Sequence, residues 1–136
     1  MNRVRIAGIA ALIMAGAVPA LAHHSFAMFD QSKKLVLKGT VTEFQWTNPH
    51  AFIELEVPGA GKAAVWSIEL NSPNNLTRQG WKRTSLKAGD TITVTINPLR
   101  NGKPGGLFNS LTLPDGRVLS ERAFENRGPI NIPGVN

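Results

Sequence analysis

The sequence predicts an all-β domain, a small barrel of five to six strands with one short helix between the third and fourth. Three observations predict it. Most of the chain between residues 34 and 120 falls into short runs of alternating apolar and polar residues. Glycine and proline separate those runs. Start and stop signals for a helix occur together only once, after the third run.

The first run, 34–46, places Leu35, Leu37 and Val41 on one parity and Phe44 and Trp46 on the other. A pleat has period two, so the change after Val41 implies a bulge or coil in a long bent strand, with Gly39 a candidate bend. Thr47-Asn48-Pro49-His50 is then a turn, because proline donates nothing to a ladder and keeps its predecessor out of the helical region. In 51–57, Ile53, Leu55 and Val57 face one way and Phe52, Glu54 and Glu56 the other. After the turn at 58–61, the run 62–70 puts Trp66, Ile68 and Leu70 on one face, so these two strands form a hairpin. Ser72 followed by Pro73, with Gly80 at the end, gives an N-cap, an N1 proline and a terminator for a helix of about two turns. A strand over 91–98 sets Ile92, Val94 and Ile96 against three threonines. Residues 99–106, with three glycines and Pro104, read as an exposed loop. Strands at 107–113 and 117–120 follow, joined by the turn Pro114-Asp115-Gly116. Three strands, a helix and two or three strands is the order of the OB-fold, an OB-like Greek-key barrel whose ligands usually lie on its second and third strands and flanking loops. A plain β-sandwich is the alternative.

The ends read differently. Arg3 and Arg5, an apolar run to Val18 and then Pro19-Ala20-Leu21-Ala22 have the form of a secretory signal with an A-x-A cleavage site. The expected organisation is a signal over 1–22, the barrel over 23–121 and a weakly ordered tail over 122–136. The expected location is periplasmic or secreted, with no membrane span in the mature form. Removing 22 of 136 residues leaves 114, and two of the 15 basic residues go with them, so the net charge becomes +4. The basic residues are scattered, which points to a solvated surface and not to nucleic acid. Cysteine is absent, so disulfides, lipid attachment and a sulfur-rich zinc site are excluded.

Several stretches together resemble a family of small exported bacterial proteins grouped as domain of unknown function 6152. They are His23-His24-Ser25-Phe26 with Phe29-Asp30, Lys38-Gly39-Thr40-Val41 through Trp46-Thr47-Asn48-Pro49-His50, and Trp66-Ser67-Ile68-Glu69-Leu70. Further on are Leu76-Thr77-Arg78-Gln79-Gly80-Trp81, Leu86-Lys87-Ala88-Gly89-Asp90 and Thr112-Leu113-Pro114-Asp115-Gly116. The resemblance implies export and a single small domain, and it brings no activity with it.

The three histidines are the candidate metal ligands. Cleavage after Ala22 would put a free amine and an imidazole on His23, beside His24, an arrangement similar to the histidine brace of copper enzymes. Cleavage after Ala20 would instead place histidine third, another copper-binding arrangement. His50 enters from the turn before the second strand. Residues 25–34, if extended, would span about 30 Å and let the terminus reach it. Nitrogen ligands suit copper, which outcompetes zinc for such sites. The alternative is that His23 and His24 are merely a soluble start and that His50 caps a turn.

Trp46, Asn48, Glu69, Arg78 and Trp81 form the candidate ligand surface. For Glu69 and Arg78 the alternative is a surface ion pair, and for the tryptophans, core packing. No G-x-S-x-G, H-E-x-x-H or cysteine nucleophile is present, so hydrolysis is not indicated. The expected function is a non-enzymatic module for a small ligand or metal, with copper the candidate cofactor. The second class is an envelope interaction or scaffolding domain meeting a protein partner through the face around Phe52, Glu54 and Trp66 or through its basic tail. A third is a redox enzyme using bound copper.

Overall fold

In the computed structural model, which describes residues 26–121, six strands form one sheet that closes on itself. They are β1 (Leu35–Gln45), β2 (Phe52–Val57), β3 (Ala64–Glu69), β4 (Thr91–Pro98), β5 (Gly105–Thr112) and β6 (Val118–Ser120). Their order is β3-β2-β1-β4-β5-β6, and a parallel pairing of β3 with β5 completes a five-stranded barrel that leaves β6 as an extra strand. The helix α1 (Pro73–Arg78) lies between β3 and β4 in the chain. Ser72 caps it by accepting from the Asn75 amide, and Gly80 leaves it with φ of 89°. The expected fold class is the observed one. The signal segment, His23, His24 and the tail over 122–136 lie outside the described residues.

Two bulges bend the sheet far enough to close. The pairing of β1 with β2 slips between Val41 and Glu43, where the parity of the sequence changes. The extra residue, Thr42, turns its hydroxyl to donate to the Glu54 carbonyl at 3.1 Å. The second slip lies between Thr95 and Ile96, and it leaves Asn109 as the extra residue of β5. An inserted residue raises local twist and redirects side chains, so Asn109 donates to Asn97 Oδ1 at 2.8 Å instead of following the pleat.

Closure overturns one expectation. Gly105 and Gly106 are not part of an exposed loop: both are buried in β5, opposite Ser67 and Ile68 of β3. A β-carbon on Gly105 would stand 3.0 Å from the Ser67 carbonyl oxygen of β3, and one on Gly106 would stand 2.6 Å from the Asn97 carbonyl oxygen and 2.6 Å from Ile96 Cδ1 of β4, so β5 lies close against both neighbours. Glycine within a strand marks such an approach as readily as it marks a turn.

The inward residues make a continuous core that includes Leu37, Val41, Ile53, Leu55, Ile68, Ile92, Val94, Ile96 and Leu111, with Leu76 of α1 closing one end. Each such side chain contributes about 1.5–3 kcal/mol through burial. An aromatic series runs through it. Phe44 meets Trp46 edge-on with centroids 5.5 Å apart, lies 6.2 Å from Trp81, and Trp81 meets Phe108 edge-on at 5.5 Å.

The segment before β1 also departs from expectation. Residues 26–34 are not an extended spacer, because their backbone is tied to the end of β4. Phe29 bridges Leu99, the Asp30 amide donates to the Pro98 carbonyl at 2.8 Å, and Arg100 Nε donates to the Ala27 carbonyl at 3.0 Å. Asn97 Nδ2 donates to the Lys33 carbonyl at 2.7 Å. The Ser32 hydroxyl donates to Asp30 at 2.6 Å and, with Lys33 beside it, holds that carboxyl below its usual range.

Replacing Gly106 by alanine is expected to lower the stability of the fold by about 1–3 kcal/mol, the usual cost of overpacking. Urea unfolding followed by tryptophan fluorescence measures it.

Candidate functional site

The register of β2 with β3 determines the first feature of the site. Phe52 pairs with Glu69, and the ladder continues past both strand ends, with the Ala51 amide donating to Asn71 O at 3.1 Å and the Leu70 amide to Ala51 O at 2.9 Å. His50 therefore stands one step beyond Phe52 on the same face and diagonal to Glu69, a distance long side chains can bridge. The cis Asn48–Pro49 peptide precedes it, and the Thr47 hydroxyl donates to the His50 carbonyl at 2.9 Å. That bond spans the turn.

His50 Nδ1 hydrogen-bonds Glu69 Oε1, with the carboxylate largely buried and the imidazole about one-third exposed. A carboxylate at Nδ1 fixes the direction of the ring. This is the way metal-binding histidines are usually oriented. Among the described residues no group of three or more His, Cys, Asp or Glu is arranged to hold a metal ion. A metal at His50 would need ligands from beyond them.

The second feature is a cavity of about 480 Å³ on the outside of the barrel, between the segment 26–34 and strands β4 to β6. Phe26 and Lys34 line it from one side, and Asn97, Leu107 and Ser110 from the other. Glu121 lies at its edge, immediately after β6. The two features adjoin. Glu69 pairs across the barrel seam with Leu107, and its charge acts on Glu121. The amide of Asn71, two residues beyond Glu69, donates to Glu121 Oε1 at 2.7 Å.

The proposed ligand-surface residues do not gather into one site. Trp81 is only 2% exposed and belongs to the core, so it is not available to a ligand. Trp46 is half-buried at the end of the aromatic series, while Asn48 and Arg78 are exposed, on the turn and on α1 respectively. Phe52 and Glu54 do not share a face with Trp66. Trp66 pairs with Leu55 and packs on the core, whereas Glu54 faces outward and accepts from the Ser67 hydroxyl at 2.7 Å. Sequence reasoning named His50 and Glu69 separately but did not pair them. It missed Glu121 and Asn71 altogether.

A model of a family of unknown function, DUF6152, matches residues 10–109 of this chain. The chain belongs to that family. No curated protein matches it. Among solved structures, it is similar to Rim1, the mitochondrial single-stranded DNA binding protein from S. cerevisiae, at 10% identity and a TM-score of 0.46, over 65% of this chain and 95% of that one. It is also similar to TiaS in its complex with a transfer RNA and ATP, at 19% identity and a TM-score of 0.45, over 60% of this chain but only 18% of TiaS. Neither match bears on what the DUF6152 protein binds.

Within this family member, Glu121 is the electrostatically unusual group. Burial pushes its carboxyl up from 4.5 to about 7, the nearby charge of Glu69 adds to the rise, and the Asn71 amide opposes it. Its Oε2 is buried with no hydrogen-bond partner among the described residues. Below pH 4.5 the group is protonated in folded and unfolded chains alike. Between 4.5 and 7 the folded state keeps a proton that the unfolded chain has released, so stability falls as pH rises, by up to about 3 kcal/mol in all. Glu121→Gln keeps an acceptor for Asn71 and removes the charge. It is expected to gain about 1–3 kcal/mol over the parent at about pH 8 and almost nothing at about pH 4. Urea unfolding of both proteins at the two pH values checks this.

Proposed function

We propose that this protein is an exported, non-enzymatic binding module of the periplasm that receives a metal ion or small ligand at the barrel rim around His50. The carrying observation is the pairing of His50 with Glu69. A largely buried carboxylate that orients a partly exposed imidazole suits a ring that must present itself in a fixed direction. Copper is the favoured ion, with the amino-terminal residues His23 and His24 as further nitrogen ligands. Export rests on the form of residues 1–22 alone.

A second reading, an envelope interaction domain without metal, is favoured by a different observation. Val36, Val65 and Val118, on β1, β3 and β6, are each at least half exposed. Such a domain would come out of the periplasm metal-free and indifferent to chelators.

Calorimetric titration of the processed protein with copper(II) separates the two. One equivalent is expected to bind, with His23→Ala and His50→Ala each weakening it. Glu69→Gln is expected to weaken it by roughly 10–100-fold, as loss of an orienting partner does. Unchanged affinity in both histidine variants would remove the metal reading.

A further inference from the structure

The cavity beneath the segment 26–34 is not used by the His50 rim, and its wall is not that of an ordinary surface groove. Leu107 is only 6% exposed yet lies outside the main core cluster, so its apolar surface faces the cavity region and not the barrel interior. Phe26, which is 43% exposed, adds aromatic surface, while Phe108, at 2% exposed, belongs to the core beneath. The amides of Asn97 and Asn109 are already engaged with each other and with backbone carbonyls, so they shape the wall and are not waiting for a ligand. Two charges of opposite sign lie on that wall: Lys34, which is exposed, and Glu121, whose Oε2 is buried without a partner among the described residues. Native structures rarely leave a buried carboxylate oxygen unsatisfied, and ligand recognition is one reason to retain it. At about 480 Å³ the space is within the range of small-molecule sites.

We propose that this cavity binds a small zwitterion with an apolar body, its ammonium group donating to Glu121, its carboxylate facing Lys34 and its apolar part lying against Phe26 and Leu107. A wall carrying one charge of each sign matches a molecule carrying both better than a simple cation or anion, and its apolar part favours one with a hydrocarbon body. An ammonium group beside Glu121 favours the ionised carboxylate, and a small turn of the side chain toward the cavity would bring Oε2 to it, so burial cost at this position is recovered on binding. The site requires neither a metal nor His50.

The test uses the full chain in EDTA, which keeps it independent of the metal reading. L-phenylalanine, phenethylamine and 3-phenylpropionate are titrated by calorimetry at neutral pH, with amide chemical shifts recorded in parallel. L-phenylalanine is expected to bind more tightly than either single-charge analogue and to shift the amides of Asn109, Ser110 and Ser120. Glu121→Gln is expected to weaken L-phenylalanine and phenethylamine by about tenfold or more while leaving 3-phenylpropionate unchanged. Lys34→Met should do the reverse, weakening L-phenylalanine and 3-phenylpropionate alone. Since Lys34 is exposed, that variant is available even if Glu121→Gln disturbs folding. No saturable binding of L-phenylalanine, shifts confined to other parts of the barrel, or equal affinity in folded Glu121→Gln would each overturn the proposal.

Discussion

The barrel depends on one contact: the passage of β5 alongside β3 at Gly105, where a β-carbon would stand 3.0 Å from the Ser67 carbonyl oxygen. Without that approach the six strands would be an open sheet with two edges, each carrying unpaired backbone groups. With it, Glu69 is held between β2 and β5, paired with Phe52 on one side and Leu107 on the other. Both parts of the functional surface follow from this position. Toward β2 its carboxylate meets His50, and toward β5 its neighbour is a wall of the cavity.

The two bulges serve the same end from the other strands. Thr42 lets β1 serve both neighbours, pairing with β4 along 35–40 and with β2 along 40–45 while bending between them. Asn109 lets β5 turn from the seam toward β6, and its amide is drawn into a chain with Asn97 and the Lys33 carbonyl that holds the amino-terminal segment down. A distortion needed for curvature thus also supplies the polar anchor over the cavity.

Much of the fold was legible in the sequence because each strand carries its own alternation and each turn its own chemistry. The parity change after Val41 located the first bulge, and Ser72, Pro73 and Gly80 bounded the helix. Gly105 and Gly106 were misread because glycine says only that a β-carbon is unwelcome, and the reasons lay on other strands: β3, some 40 residues away, for Gly105 and β4 for Gly106. The site was less legible still. His50 and Glu69 are 19 positions apart, and only the pairing register makes them diagonal neighbours. Glu121 gave no signal at all. An acidic residue in a polar stretch looks solvated, and its burial comes from Asn71 and from strands it does not belong to.

Phe26 and Glu121, the first and last residues of the described barrel, line the same cavity. The segment 26–34 and the end of β6, far apart in the chain, therefore share one entrance. The turn at 58–61, between β2 and β3, offers an exposed attachment point built from other parts of the chain. A label or fusion placed there would leave that entrance uncrowded.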